Sequence, residues 1–148
     1  MPLIVLSFFL FFLSLQNVYS NDEYFRTLRN DKVNLRQGPS FDYPIKIFYK
    51  KKFLPVLIQD RSDNFRKIRD HENNTGWVHI SQLSKKKAAI IIDDNSILFS
   101  GSTIYSNPVA ILKKGRLLKI NKCKKNWCKI KTGEFKGWVK KESLWGLL

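Results

Sequence analysis

Residues 62–84, SDNFRKIRDHENNTGWVHISQLS, and residues 124–145, KKNWCKIKTGEFKGWVKKESLW, repeat one another. The clearest match is Gly76-Trp77-Val78 with Gly137-Trp138-Val139. Self-similarity at a fixed period indicates a repeated structural unit. The chain of 148 residues is therefore predicted to contain two related units of about sixty residues each.

The repeat extends beyond these two segments. Its further aligned pairs are Asn64-Phe65 with Asn126-Trp127, Lys67-Ile68 with Lys129-Ile130, Leu83 with Leu144, Phe53-Leu54 with Leu117-Leu118, and NLRQGP at 34–39 with TIYSNP at 103–108. The upstream part of this alignment is the weaker part, because only a proline and a general turn composition support it.

Short apolar runs alternate with turn signals in both units. The turn signals are Gly38-Pro39, Asp63-Asn64, Asn73-Asn74, Asn107-Pro108 and Gly133. No long stretch with helical periodicity follows residue 20. The sequence predicts an all-β fold of two tandem small β-barrels, whose first strands are Tyr24–Leu28 and Ala89–Ile92.

The first twenty residues, MPLIVLSFFLFFLSLQNVYS, are predicted to be a signal peptide. Residues 3–15 are apolar apart from Ser7 and Ser14, which matches a secretory signal and is short for a membrane span. Val18 and Ser20 fit a cleavage site. No Lys or Arg precedes the apolar stretch, so an uncleaved membrane anchor is the alternative. We expect an exported protein that is periplasmic or associated with the cell envelope and contacts membrane only through this segment.

These patterns divide the chain into three predicted parts. Residues 1–20 are the signal peptide, residues 21–84 form the first domain, and residues 85–148 form the second domain. Each domain has enough apolar and aromatic residues to form a small core.

The formal net charge is +15. One interpretation is a functional basic face that attracts anionic envelope polymers, anionic lipid or nucleic acid. The other is a lysine-rich composition spread over a solvated surface. The lysines are scattered, with clusters at 50–52, 85–87 and 122–125, which favours the second interpretation.

The two cysteines of the chain, Cys123 and Cys128, lie in the segment NKCKKNWCKI. Zinc needs four ligands, and His71 and His79 are not suitably spaced. A thioredoxin-type site requires a C-x-x-C motif. The flanking residues alternate as in a hairpin, and exported cysteines oxidise. We predict a disulfide that closes the hairpin and contributes about 2 kcal/mol; two free thiols in a reducing compartment are the alternative.

The segment VNLRQGPSFDYP at 33–44, followed by TGWVH at 75–79, resembles the bacterial SH3-like domain family. The N-x-R-x-G-P segment and the later G-W-V are recurring marks of that family, and the second unit keeps W-C-K-I, G-W-V and L-W-G. The chain is similar in particular to exported proteins with two tandem domains of this type. A C-x(4)-C hairpin and a terminal L-W-G also occur in that group.

The resemblance implies two five- or six-stranded barrels and a binding role. Related domains attached to cell-wall hydrolases bind peptidoglycan peptides, and others bind proteins. It places the candidate ligand residues in the first unit. Asn34 and Arg36 would form a polar groove wall, or only hold a turn by hydrogen bonds, and Phe41, Asp42 and Tyr43 occupy the loop that borders the peptide groove in eukaryotic relatives.

On the alignment above, the second unit departs from this pattern and lacks a counterpart of the SFDY insertion at 40–43. The residues that replace the polar ones are Thr103 or Ile104 for Asn34, Ser106 for Arg36, and Asn107 for Gly38. If the ligand groove depends on that loop, only the first unit is expected to use it.

Four aromatic residues at repeat-equivalent positions are predicted to pack in the barrel cores, because buried aromatic rings supply much of the apolar burial of a small domain. They are Phe65, Trp77, Trp127 and Trp138. Trp145 either caps the second barrel or lies at an interface.

No catalytic set is recognisable in the sequence. It has no Ser-His-Asp order, no paired carboxylates and no glycine-rich phosphate loop, and it predicts neither a metal site nor a cofactor. We expect a non-catalytic protein that binds peptidoglycan or another anionic envelope component. An adaptor that binds an extended peptide or a partner protein in the envelope is the alternative, and nucleic-acid binding is not expected because the chain is predicted to be exported.

Overall fold

The computed structural model describes residues 22–148, and the predicted signal peptide lies outside them. The described chain folds into two seven-stranded antiparallel sheets. The predicted all-β class with two tandem small barrels is confirmed. None of the helices in this part of the chain is long and apolar enough to span a membrane.

The first barrel contains seven strands and a 3-10 helix at Ile80–Gln82. Its strands are β1 (Tyr24–Leu28), β2 (Val33–Arg36), β3 (Ile45–Tyr49), β4 (Pro55–Ser62), β5 (Phe65–Arg69), β6 (Thr75–His79) and β7 (Leu83–Ser84). Their order in the sheet is β3-β2-β6-β5-β4-β1-β7. The predicted domain boundary after residue 84 falls where this sheet ends.

The second barrel repeats this plan, with its 3-10 helix at Lys141–Ser143. Its strands are β8 (Ala88–Ile91), β9 (Asn95–Phe99), β10 (Pro108–Lys113), β11 (Leu117–Lys124), β12 (Trp127–Thr132), β13 (Phe135–Lys140) and β14 (Leu144–Trp145). Their order, β10-β9-β13-β12-β11-β8-β14, is that of the first barrel. Each barrel has more strands than the resemblance implies, because the short segment after the 3-10 helix pairs with the first strand.

The strand registers give an alignment of the two barrels that is independent of sequence likeness. Arg36 pairs with Trp77 in the first barrel, and Phe99 pairs with Trp138 in the second. Phe99 is therefore the counterpart of Arg36. The β4–β5 hairpin and the equivalent β11–β12 hairpin also carry a register shift at the same point. It lies between Ile58 and Asp60 in the first barrel and between Ile120 and Lys122 in the second.

This structural alignment corrects the upstream half of the sequence alignment. The counterparts of Asn34, Arg36 and Gly38 are Ile97, Phe99 and Gly101, and not residues within 103–107. Likewise Pro55-Val56, rather than Phe53-Leu54, corresponds to Leu117-Leu118. The first error arose because the sequence matched turn composition instead of the buried positions Leu35 and Leu98. The second arose because an adjacent apolar pair was matched without the strand register.

The loop at 40–43 is also not an insertion. The Gln37 amide donates to the Pro44 carbonyl, and the Ser100 amide donates to the Asn107 carbonyl, so both loops have the same length. A second pair of bonds, Tyr43 to Ser40 and Ser106 to Thr103, is also equivalent. The prediction that the second barrel lacks this loop is wrong; it has the loop with different side chains.

Each barrel buries the inward-facing residues of its strands. The first core centres on Leu28, Leu35, Ile68 and Val78. The equivalent residues of the second are Ile91, Leu98, Ile130 and Val139. Because side chains alternate along a strand, a residue next to one of these positions faces outward.

This alternation corrects the prediction that four aromatic residues pack in the cores. Phe65 is buried, with 6% of its surface exposed. Trp77 and Trp138 are half-buried and lie outside both core clusters, because the neighbouring valines occupy the inward positions. Trp127 is half-buried as well, because Cys128 points inward in its place.

The two barrels share an interface. Ile90 of β8 belongs to the core cluster of the first barrel, and Leu117 packs against that cluster. The Trp145 ring lies between the barrels, 4.9 Å from the Phe25 ring and 6.3 Å from His71, as measured between ring centroids. Of the two sites suggested for Trp145, the structure therefore supports the interface.

Candidate functional site

A groove with a volume of ≈ 760 Å³ crosses the first barrel between β2, β3 and the 3-10 helix. Lys32, Arg36 and Lys50 supply positive charge along it, and Phe41 and Phe48 supply apolar surface. Each of these two phenylalanines has 64% of its surface exposed. Exposed aromatic side chains grouped around a concave surface are characteristic of a ligand-binding site.

A cluster of three rings forms one end of the groove. Phe41, Phe65 and His79 have ring centroids 5.2 Å apart in every pair. The buried Phe65 supports the exposed Phe41, so this ring is presented to solvent on a fixed base. The His79 Nδ1 accepts a hydrogen bond from the Ser81 amide at 3.2 Å, which fixes the imidazole at the start of the 3-10 helix.

Arg36 holds the loop that carries Phe41. Its Nη1 donates to the Phe41 carbonyl at 3.1 Å and to the Tyr43 carbonyl at 2.9 Å. The guanidinium also lies 5.3 Å from the centre of the Phe41 ring, within cation–π distance. Arg36 therefore both lines the groove and positions the loop, so the two interpretations offered by the sequence are compatible.

The other predicted ligand residues divide into two groups. Asn34 lines the groove together with Arg36 and Phe41. Asp42 and Tyr43 do not line it: the Tyr43 ring packs over Gly38, and the Asp42 amide bonds to the Ser40 hydroxyl within the turn. Their proposed contact with ligand has no geometric support from the groove.

The floor of the groove is fixed by a buried hydrogen bond. The Tyr49 hydroxyl donates to Asp70 Oδ2 at 2.8 Å. Asp70 also accepts from the amides of Glu72 and Asn74, so it closes the turn between β5 and β6. Burial raises the pKa of Tyr49 far above its usual value of 10.0, and the bond to Asp70 raises it further, so the phenol stays neutral.

The equivalent surface of the second barrel is divided between two depressions, of ≈ 270 Å³ and ≈ 520 Å³. Ile97, Phe99 and Ile104 replace the polar and aromatic groove residues Asn34, Arg36 and Phe41 there. Phe99 packs against Trp127 with ring centroids 5.5 Å apart. Because Phe99 has no charged donor, the loop is held instead by the Ser106 hydroxyl, which donates to the carbonyl groups of Gly101 and Thr103.

Sequence reasoning missed Lys32, Phe48, Lys50 and His79 as groove residues. Phe48 could have been found, because alternation along β3 places it outward between Ile47 and Tyr49. The two lysines come from the ends of β2 and β3, and only the pairing of these strands brings them together.

The structure joins Cys123 and Cys128 in the predicted disulfide at the tip of the β11–β12 hairpin. Residues 22–148 contain no group of three or more His, Cys, Asp or Glu side chains placed to hold a metal ion. The cysteines therefore act as a structural crosslink in the second barrel. In the first barrel the equivalent pair is Arg61 and Arg66.

Comparison with solved structures finds matches at low similarity. They include NlpC2 from Trichomonas vaginalis (11% identity, TM-score 0.38, covering 84% of this chain and 48% of that chain). An NlpC/P60 family protein from Bacillus cereus ATCC 10987 matches at 9% identity and TM-score 0.38, covering 82% of this chain and 55% of that one. The chain thus spans about half the length of these proteins. Among curated proteins, no sequence matches the chain.

The family comparison is more specific, because it matches each barrel separately. The model of the bacterial SH3 domain matches residues 29–85 and again residues 94–146. Each match begins after the first strand of its sheet, β1 or β8, and includes the last strand, β7 or β14. The chain therefore belongs to the bacterial SH3 domain family and contains two copies of that domain.

Proposed function

We propose that the protein is a non-catalytic, exported binding protein of the cell envelope and that its first barrel binds the peptide portion of peptidoglycan. The observation that carries this proposal is the groove of the first barrel, which combines exposed phenylalanines with three cationic side chains. Membership of the bacterial SH3 domain family supports a binding role.

The chemistry of the groove suits a short acidic peptide. Cell-wall peptides are extended and carry free carboxylates beside small apolar side chains. Lys32, Arg36 and Lys50 would attract the carboxylates, and Phe41 and Phe48 would contact the apolar side chains. The charge of the groove thus complements the charge of the ligand.

Binding without catalysis is proposed because the polar groups of the groove already have structural bonds. Arg36 holds two loop carbonyls, and Tyr49 is bonded to Asp70. The His79 Nδ1 is taken by Ser81. The Ser81 hydroxyl lies 2.7 Å from this nitrogen, but the residues that line the groove include no carboxylate to orient the two as nucleophile and base.

An envelope adaptor that binds an extended protein segment is the second candidate. One observation favours it: β3 is the edge strand of its sheet and borders the groove. An unpaired edge can add a peptide as a further strand while exposed aromatic residues bind its side chains. Phe48, in the middle of β3, would serve either ligand.

The test is co-sedimentation of the purified protein with peptidoglycan sacculi over a series of salt concentrations. The variant Phe41→Ser/Phe48→Ser removes the two exposed rings. Its matched control is Ile104→Ser/Ile111→Ser, which changes the equivalent exposed residues of the second barrel. We expect binding that persists above the salt at which surface charges are screened, about 0.3 M.

In the groove variant we expect retention to fall about tenfold, since two aromatic contacts of this kind contribute on the order of 1–2 kcal/mol. The control should bind like the unchanged protein. Equal losses in both variants, or binding that disappears entirely with salt, would contradict recognition by the groove. Absence of wall binding together with a discrete co-purifying protein would favour the adaptor.

A further inference from the structure

The second barrel has a face on which nearly every outward position is lysine. Strand β11 contributes Lys119, Lys122 and Lys124, all exposed. Cross-strand pairing places these beside Lys131, Lys129 and Trp127 of β12, respectively. Since directly paired residues lie on the same side of a sheet, these lysines form rows across the strands.

The rows continue onto the next strand. Lys131 pairs with Lys136, and Lys129 pairs with Trp138 of β13. Lys140 completes the face opposite Trp127. The face, called here the lysine face, therefore comprises Lys119, Lys122, Lys124, Lys129, Lys131, Lys136 and Lys140 around two half-buried indoles.

The acidic residues nearest in sequence to this face lie outside its strands: Glu134 is in the turn between β12 and β13, and Glu142 is in the following 3-10 helix. Strands β11, β12 and β13 contain no Asp or Glu. Like charges directly opposite one another destabilise a sheet, so Lys119 against Lys131 and Lys122 against Lys129 oppose the pairing of their own strands.

The first barrel provides an internal comparison with identical geometry. In the same register, Leu57, Asp60 and Thr75 occupy the positions of Lys119, Lys122 and Lys136. The Trp of this face is kept, as Trp77. Lys129 and Lys131 have the basic counterparts Lys67 and Arg69, so the charge particular to the second barrel comes from the other lysines of the face.

We propose that the lysine face binds an acidic polysaccharide laid across strands β11 to β13. Its lysines repeat at about 5 Å between strands and about 7 Å along them, a spacing comparable to that of one charge per sugar in a chain. The Trp138 ring lies among them, with Lys122 and Lys124 ammonium groups 5.9 and 5.4 Å from its centre. The ring holds these ammonium groups by cation–π contact, and they would meet the carboxylates of the sugar chain.

Other anionic partners fit this face less well. A membrane surface requires apolar side chains that enter the lipid, and no large apolar residue exposed in the described chain lies on the lysine face. A phosphodiester backbone is usually recognised by arginine, whose planar guanidinium makes paired hydrogen bonds, whereas this face has lysine alone. The proposal is independent of the groove, because the two sites lie on different barrels.

The test is titration of the purified protein with polygalacturonate at about 50 mM and about 200 mM NaCl. The face variant is Lys122→Gln/Lys131→Gln/Lys136→Gln, which changes exposed residues only. The control is Lys51→Gln/Lys85→Gln/Lys114→Gln, which changes three exposed lysines elsewhere and lowers the net charge equally. Neutral dextran, single-stranded DNA and phosphatidylglycerol vesicles are titrated in parallel at matched charge.

We expect the face variant to lose about tenfold in affinity at low salt and the control to lose less than about threefold, because the contacts are local. Salt should weaken the face variant less than the unchanged protein, since fewer counterions are released. Equal losses of affinity in the two variants would show that only the net charge of the protein matters, and would overturn the proposal. Tighter binding to DNA or to vesicles than to polygalacturonate would also overturn it.

Discussion

The two barrels have the same strand order and register, but they present different surfaces. Residues 22–84 carry twelve Lys and Arg against eight Asp and Glu, a net charge of +4. Residues 85–148 carry fifteen against four, a net charge of +11. The first barrel has the larger groove, and the second has the lysine face.

This difference separates what the fold requires from what it permits. Most inward positions are apolar in both barrels, as with Leu35 and Leu98 or Val78 and Val139, although Ser96 replaces Val33. The outward positions change in charge and size, as from Arg36 to Phe99. Duplication of a small barrel thus preserved the core while the two exteriors diverged.

The largest expected effect tests whether both barrels require glycine at the equivalent positions 76 and 137. A Cβ added at Gly76 would lie 2.7 Å from the Arg36 carbonyl, and one at Gly137 would overlap the Phe99 carbonyl. Since backbone atoms cannot move away easily, we expect Gly76→Ala and Gly137→Ala each to lower the free energy of unfolding by about 3 kcal/mol. Urea unfolding followed by tryptophan fluorescence measures it.

The control for these substitutions is Gly101→Ala, whose added Cβ would lie 3.4 Å from Ser106. We expect it to change stability by less than about 0.5 kcal/mol. Its counterpart Gly38→Ala should be costly, because the Tyr43 ring covers that position. Equal tolerance at Gly38 and Gly101 would contradict the packing described for the first loop.

The second expected effect concerns a feature that only one barrel has. Removing the crosslink by Cys123→Ala/Cys128→Ala should destabilise the second barrel by about 2 kcal/mol, because closure of even a short loop restricts the unfolded chain. The hairpin it closes is also the one with opposed lysines. We therefore expect the loss to be larger at low salt than at high salt.

Thermal unfolding of this variant and of the unchanged protein, at two ionic strengths, measures the effect. The variant Arg61→Ala/Arg66→Ala, at the equivalent pair of the first barrel, is the matched control. A stability loss that does not depend on salt would indicate that the disulfide and the charge repulsion are not coupled.

The third expected effect concerns the floor of the groove. Tyr49→Phe removes the donor to the buried Asp70, whereas Leu112 at the same position of the second barrel has no such bond. We expect a loss of about 1 kcal/mol at neutral pH. Unfolding at several pH values, with Leu112→Val as a conservative control, measures it.

This loss should depend on pH in a defined direction. The pKa of Tyr49 is raised by folding, so the contribution is fully present below the ordinary value of 10.0 and declines as the pH rises above it. The unchanged protein and Tyr49→Phe should therefore converge in stability in alkali. A difference that stays constant above pH 10 would contradict the burial of a neutral phenol.

The sequence predicted the fold well because buried positions repeat. Gly76-Trp77-Val78 and Gly137-Trp138-Val139 aligned correctly since glycine at the first position is required by backbone contact and valine at the third is buried. The alignment failed upstream, where loop composition differs and only the strand register identifies Phe99 as the counterpart of Arg36.

The proposed binding surfaces were harder to predict, because they depend on which outward residues meet across strands. Arg36 and Phe41 were identified from motif likeness, but Lys32 and Lys50 adjoin them only through the pairing of β2 with β3. The lysines of the second barrel looked scattered along the chain. Period-two spacing, as in Lys129 and Lys131, was the signal that they share a face.

The smallest expected effect is an increase in stability. Lys122→Glu places a negative charge opposite Lys129, as Asp60 stands opposite Lys67 in the first barrel. An opposite-charge pair then replaces a repulsive one, so we expect a gain of about 0.5 kcal/mol at low salt that disappears at high salt. Lys114→Glu, on an exposed turn, is the control and should gain less.

The same substitution should weaken binding to polygalacturonate, so that stability and affinity change in opposite directions. Stability and affinity are expected to change in opposite directions where a surface retains mutually repelling charges that a ligand neutralises. If Lys122→Glu were neither more stable nor weaker in binding, the lysines would be separated by solvent and would act independently. Repulsion between the strands would then not distinguish the second barrel from the first.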